Sequence, residues 1–346
     1  LEKRQGEEHE IHVDFHRKIL CDVGSLCQHD QSAQGLLRNS SHDVWGDFFM
    51  SDALNQEVMS LAARHGLDLR EPLEFNEQGL DFRIVFAEDG QGIPWVLRIP
   101  RRADVFPKVV YEEKVLAFVK RRLSVKVPDW RVANSEVVAY PRLTDKTALS
   151  FDPTTYEVHW NIDQNSDLFI ESLARSLAEL HQSPVTEAVA AGITQLSSEA
   201  VRKKFRADWE RVKAEIGLGQ ELETFCHNWL NDDSRWPDFT GLIHGDLYAG
   251  HVTVDAKSRV SGIIDWTEAH IGDTSSDFAG HLAAFNEESL GKLIVAYEKA
   301  GGRTWPKFFE QIKARHFTAP IRYGVFALES QNPDHMAAAK AQLGAD

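Results

Sequence analysis

Apolar positions change their period twice along the chain. From Leu80 to Ala87 (LDFRIVFA) they alternate, residues 88–92 (EDGQG) supply a turn, and Trp95 to Ile99 (WVLRI) resumes the alternation. Alternation at period two across a glycine-containing turn predicts an antiparallel hairpin with one buried face. Between Tyr111 and Leu123 the spacing becomes helical, with Val115, Leu116, Phe118 and Val119 on one side and a basic last turn. Short strands are expected around 125–132 and 136–140, which gives the order strand, strand, helix, strand, strand. Ahead of the hairpin, MSDALNQEVMSLAARHGL carries Ala53, Val58, Leu61 and Ala62 as a helical stripe, with Ser51 placed to cap it. Residues 1–49 hold neither period and are expected to form a leader or extension outside the fold.

Past Pro141 the pattern is mainly helical. Amphipathic segments predict helices over 168–181, 200–216, 222–230, 288–299 and 306–317, the clearest being LFIESLARSLAELH. One hairpin interrupts them: His251–Asp255, a turn at 256–258, then Arg259–Asp265. The fold class is therefore α+β and bilobal. A small antiparallel-sheet lobe with one helix spans 50–140, a hinge lies near 138–142, and a larger, mainly helical lobe spans 143–346. A chain of 346 residues is long enough for two lobes around a cleft. No internal repeat or low-complexity stretch disturbs this division.

Composition narrows the function. With 42% hydrophobic residues the chain can bury a core, and a formal net charge of −15 argues against a nucleic-acid partner. The three cysteines, Cys21, Cys27 and Cys226, form neither a disulfide framework nor a paired zinc motif. No apolar run approaches the ~18 residues of a membrane span. A soluble, cytoplasmic, monomeric protein acting on a small molecule is the expectation.

The strongest chemical signal is His244-Gly245-Asp246-Leu247-Tyr248-Ala249-Gly250-His251. Phosphoryl transfer to an alcohol needs a carboxylate to orient the hydroxyl and accept its proton, and metal ions to offset the charge of the moving phosphate. Kinases place an aspartate in H-R-D-x-x-x-x-N for the first task and the asparagine on a second Mg²⁺. Here Asp246 matches the base, while His251 stands at the asparagine position, where an imidazole nitrogen can still ligate a metal. A second signal, Gly262-Ile263-Ile264-Asp265-Trp266, places Asp265 nineteen residues after Asp246 at the end of the hairpin, as the metal-binding aspartate. Either motif alone is weak, but both in this order, joined by a hairpin, are specific.

The block 244–279 resembles the aminoglycoside phosphotransferase and choline kinase superfamily. Within it the chain is similar to the macrolide 2′-phosphotransferases over nearly all of 50–346, including NEQGLDFRIVFAEDG, WVLRIPRR, VPDWRVANSEVVAYP, HGDLYAGH, SGIIDW, AYEKAGGRTWP and AAAKAQL. The resemblance implies transfer of the γ-phosphate of GTP, or of ATP, with Mg²⁺, to the 2′-hydroxyl of the desosamine sugar of a macrolide antibiotic. The same fold acting on an aminoglycoside or another small alcohol is the alternative.

The resemblance also assigns roles. Gly79 would let backbone approach the phosphates, or is an ordinary turn glycine. Arg98 stands where kinases carry a lysine on the third strand, and Glu112 stands where they carry its helical glutamate partner. Val138, Ala139 and Tyr140 would offer the nucleobase their main-chain groups. Asp273 would cap a helix, and Asp277 would either brace the catalytic loop or meet the substrate amine. Among the aromatics of 278–329, Phe285 and Tyr323 are the expected acceptor wall. His181, His270 and His281 are expected as packing or surface residues.

Overall fold

In the computed structural model, residues 44–77, 79–151 and 157–345 are described, with side chains from Asp52 onward. The chain opens with helix α1 (Val44–Arg64) and strand β1 (Leu69–Asn76), then the hairpin β2 (Phe82–Asp89) and β3 (Pro94–Pro100). Helix α2 (Phe106–Val119) and strands β4 (Val132–Ala133) and β5 (Val138–Pro141) complete an antiparallel sheet of order β1-β2-β3-β5-β4. The expected cap at Ser51 does not hold, because α1 starts at Val44 and runs through that position. The expected extension lies outside the described residues up to position 43.

Strand alternation sorts the sheet's two faces. Val85, Leu97 and Ala139 meet Val58, Leu61 and Ala62 of α1, whereas Val96, Val138 and Tyr140 join Phe82 and Val109 on the other face. Arg98 is two residues from Val96, so the pleat turns it to that second face, toward α2. Helix α2 begins earlier than its apolar run because Pro107 fits the first turn, where a missing N–H costs nothing. Its later residues Val115, Leu116, Phe118 and Val119 belong to the core of the second lobe. The helix therefore ties the lobes together, and Tyr111 Oη adds a bond of 2.8 Å to the Ala269 carbonyl.

Beyond β5 come short strands β6 (Lys146–Thr147), β7 (Leu149–Phe151) and β8 (Val158–Trp160), then α3 (Asp167–His181). Ser166 caps α3 by accepting from the Phe169 N–H, and Phe169, Ile170, Leu173, Ala174 and Leu177 line its buried side at helical spacing. Helices α4 (Val185–Ala190), α5 (Ser198–Glu215) and α6 (Gln220–Asn231) follow. Strands β9 (Gly241–Ile243), β10 (Val252–Val254), β11 (Val260–Ile263) and β12 (His270–Gly272) carry the polar loops. Helices α7 (Ser276–Ala284), α8 (Glu287–Lys299), α9 (Phe308–Phe317), α10 (Ala319–Ser330) and α11 (Pro333–Leu343) close the chain. The main core centres on α3, α7 and α8, and a second cluster, with Trp209, Trp229 and Leu343, joins α5 and α6 to the last helices. Cys226 is buried in that cluster, where burial pushes its thiol up to about 12.

Candidate active site

The small lobe contributes a buried ion pair. Arg98 Nη1 donates to both carboxylate oxygens of Glu112, at 2.8 and 2.9 Å, and the two residues are only 8% and 1% exposed. The guanidinium lies 4.3 Å from the centre of the Phe82 ring. Burial works against the charge of Arg98, but Glu112 and nearby Asp265 more than offset it and raise its proton affinity. Gly79 lies in the loop between β1 and β2, where Arg101 donates to its carbonyl at 2.9 Å and to the Glu77 carbonyl at 2.9 Å.

The loop that carries Asp246, the candidate catalytic loop, leaves β9 through a conformation that only glycine takes without strain. Gly245 has φ +82°, and a Cβ there would sit 2.4 Å from the Glu268 carbonyl oxygen. Asp277, in the first turn of α7, grips this bend from behind. Its two oxygens accept from the N–H groups of His244 and Gly245, each at 2.8 Å, and His181 Nε2 lies 3.1 Å away. Burial by itself would raise the Asp277 pKa, but His181, His244 and these N–H groups outweigh it and hold the carboxyl below its usual range. His244 is fully buried and neutral: Nε2 donates to the Ile264 carbonyl at 2.9 Å, and Nδ1 accepts from the Asp246 N–H at 3.3 Å. That one ring fastens the catalytic loop to the second polar loop.

Asp246 itself faces outward, its side chain 45% exposed. Arg322 Nη2 reaches its Oδ1 at 3.3 Å from α10. His251 Nδ1 donates to the Asp246 carbonyl at 2.8 Å, which leaves Nε2 as the ring's free lone pair. That nitrogen faces Asp265 Oδ2 at 3.6 Å. Two acceptors so placed call for a proton or a cation between them. Among the described residues, no group of three or more His, Cys, Asp or Glu side chains is arranged to hold a metal. A cation here would take Asp265 and His251 from the protein and fill its shell with phosphate oxygens and water, as Mg²⁺ commonly does. The donor set fits that ion.

Asp265 sits at φ +65°, a left-handed conformation that is uncommon for a residue with a side chain and concentrates at functional sites. Its surface is half-exposed, yet it lies on the crowded floor of the cleft. Burial raises its pKa, but positive charge nearby, from His251 when it carries a second proton and from Arg98, together with the Thr267 hydroxyl, holds the carboxyl below its usual range.

Asp246, His251, Asp265, Arg98 and Glu112 thus come together around one cleft, from four separate stretches of chain. Other expectations need correction. Val138 and Ala139 pair with β3 on one side and β4 on the other, so their main-chain groups are taken up inside the sheet. Tyr140 is buried, its hydroxyl pushed up to about 12 by burial, and its ring stacks near Trp130. Asp277 does not meet a substrate amine, because its side chain is 0% exposed and its oxygens are committed to the loop. Phe285 is partly buried and packs against His281, Trp160 and Phe169. Tyr323 turns toward His335 at 3.0 Å and Phe326, while its neighbour Arg322 reaches the site. One residue on a helix is about 100° of rotation, which explains the offset.

Asp273 opens the turn into α7, accepting from Ser275 N–H at 3.0 Å, and also pairs with Arg315 at 2.6 Å. His181 is no bystander, since it bridges Asp277 and the Tyr297 hydroxyl, the latter at 2.8 Å. Sequence reasoning did not reach Thr267, Tyr248 or Arg322. Tyr248 packs edge-on against the His251 ring, with centroids 4.4 Å apart, and so fixes its plane.

Comparison with known proteins places the chain among phosphotransferases of the same fold. The model of the phosphotransferase enzyme family matches residues 72–309. A solved structure of a macrolide 2′-phosphotransferase type I is 48% identical, with a TM-score of 0.80, over 85% of this chain and 98% of that one. The apoenzyme of macrolide 2′-phosphotransferase MphH from Brachybacterium faecium is 37% identical, with a TM-score of 0.74, over 84% and 98%. The uncharacterized protein YcbJ of Bacillus subtilis (strain 168) is 38% identical over 291 residues, 83% of this chain and 95% of that protein.

Proposed function

Because this chain belongs to the phosphotransferase enzyme family, we propose that it moves the γ-phosphate of a nucleoside triphosphate to the 2′-hydroxyl of a macrolide's desosamine sugar. GTP is the preferred donor and ATP the second, and the product is an inactivated antibiotic. The observation that carries the chemistry is Asp246, a carboxylate clamped from behind through Asp277 and open to the cleft in front. The likeness to a macrolide 2′-phosphotransferase at 48% identity, over 98% of that chain, supports the acceptor. Among the described residues no helix is long and apolar enough to cross a membrane. Action in the cytoplasm, where nucleoside triphosphates are made, fits this reading.

In this mechanism Asp246 accepts a hydrogen bond from the acceptor hydroxyl, aligns it for in-line attack and takes its proton. Arg98, kept charged and oriented by Glu112, holds phosphate oxygens in a fixed fork. Asp265 and His251 would hold Mg²⁺, which when bound would offset negative charge on the phosphates. His244, Gly245 and Asp277 keep the catalytic loop from relaxing, so positioning and fixed charge supply most of the acceleration.

Arg322 bears on acceptor choice. Its exposed guanidinium beside Asp246 repels an acceptor carrying several ammonium groups more than one carrying a single amine. Offered erythromycin and kanamycin at equal concentration with limiting GTP, the enzyme is expected to phosphorylate erythromycin by about tenfold or more in excess, a preference of ~1.4 kcal/mol. Mass analysis of both products decides it, and preferential phosphorylation of kanamycin would sink the macrolide assignment.

Asp265→Ala removes the protein carboxylate of the cation site. The Mg²⁺ concentration that half-saturates nucleotide binding is expected to rise about tenfold or more. An unchanged Mg²⁺ dependence in a calorimetric titration would remove Asp265 from the metal site.

A further inference from the structure

Thr267 stands where the two halves of the cleft meet. Its Oγ1 lies 2.8 Å from Glu112 Oε2, 3.3 Å from Asp265 Oδ1 and 3.3 Å from Arg98 Nη2. A threonine hydroxyl carries one proton and two lone pairs, a guanidinium only donates, and an ionised carboxylate only accepts. Arg98 must therefore occupy a lone pair, and Glu112 and Asp265 share the one proton between them. The proton is shared in a three-centre hydrogen bond, with the shorter arm to Glu112 and the longer one to Asp265.

Both oxygens of Asp265 are thereby engaged on different sides. Oδ1 faces Thr267, and Oδ2 faces His251 at 3.6 Å. The rotation of this carboxylate, on a backbone already at φ +65°, depends on what Thr267 does. Thr267 is tied in turn to a pair that joins β3 to α2, so it feels whether the small lobe is assembled.

We infer that Thr267 is a positioning residue that couples the Arg98–Glu112 pair to Asp265, turning Oδ2 toward the divalent cation when that pair is in place. The inference rests on reading the cleft as a nucleotide and cation site. Coupling of this kind is reciprocal: a cation on Asp265 steadies the small-lobe pair as much as the pair steadies the cation. The network also bears on the backbone strain of Asp265: Thr267 holds the carboxylate from one side, and a cation shared with His251 would hold it from the other.

The test is a titration of Mn²⁺ into the full chain with saturating GDP, read by the loss of free-ion signal in electron paramagnetic resonance. Thr267→Val replaces the hydroxyl by a methyl of nearly the same size. It is expected to weaken Mn²⁺ binding about five- to tenfold, the effect of a hydrogen bond to a charged group. Metal-free GDP affinity is expected to stay within about twofold, and Thr267→Ser, which restores the hydroxyl, to recover Mn²⁺ affinity within about twofold of wild type. Should Val lower the melting temperature, Thr267→Ala gives the same comparison without a misplaced methyl. Wild-type Mn²⁺ affinity in both Val and Ala variants overturns the inference. So does failure of Ser to rescue, or a loss of metal-free GDP affinity as large as the loss of Mn²⁺ affinity. A wild-type chain that takes up neither GDP nor Mn²⁺ overturns the kinase reading itself, a distinct outcome.

Discussion

Asp246→Asn is expected to lower turnover of erythromycin by about 10²- to 10⁴-fold, the range over which a positioned general base acts. The amide keeps the shape of the side chain but cannot take the hydroxyl's proton. Little else depends on that carboxylate. It is half-exposed, its contact with Arg322 is a single long bond of 3.3 Å, and the loop is anchored through backbone groups and not through this side chain. Melting temperature is therefore expected to move by about 2 °C or less, as for a surface substitution. GDP affinity is expected to remain within about threefold, because the base faces the acceptor and not the donor. Turnover above about a tenth of wild type would mean that less than ~1.4 kcal/mol of transition-state stabilisation came from the group, and another base would have to be sought.

What the residues alone disclosed follows from the range of the interactions involved. The hairpin β2–β3 was legible because its alternation is local. Asp246 and Asp265 were legible because a hairpin of short, fixed length joins them in one block. Val138 and Ala139 were misread because their two-sided pairing depends on β4, a strand of only two residues with no period to detect. Helices α10 and α11 escaped because Gly324 and the run of alanines after Met336 blur the apolar stripe. Arg322 lies 76 residues from Asp246, and Thr267 lies 155 residues from Glu112. No local pattern announces such contacts. Thr267 stands two residues past a recognised aspartate, the one hint that could have singled it out.

Asp277→Ala is expected to cost roughly 3–5 kcal/mol of stability, because each buried donor left without its acceptor costs about 1–3 kcal/mol. The change strands two buried N–H groups, those of His244 and Gly245, and leaves His181 without its carboxylate. On a chain of this size the loss corresponds to a fall in melting temperature on the order of 10 °C. Turnover is expected to fall too, even near freezing where the variant remains folded, because Asp246 follows directly on the freed bend. Asparagine is expected to rescue poorly. Its side chain has one accepting oxygen where the loop needs two, so an N–H donor would be turned against the NH₂ group. Acidification supplies an independent readout with a definite sign. The folded Asp277 carboxyl is held below its unfolded value of about 3.9. Its contribution is therefore fully present above that unfolded value and is lost as pH falls through the lower folded one. The gap in melting temperature between wild type and Asp277→Ala is expected to stay constant from neutral pH down to about 5 and then to close on further acidification. A gap that widened in acid, or a variant as stable as wild type at pH 7, would mean that the clamp behind the catalytic loop carries no charge of consequence.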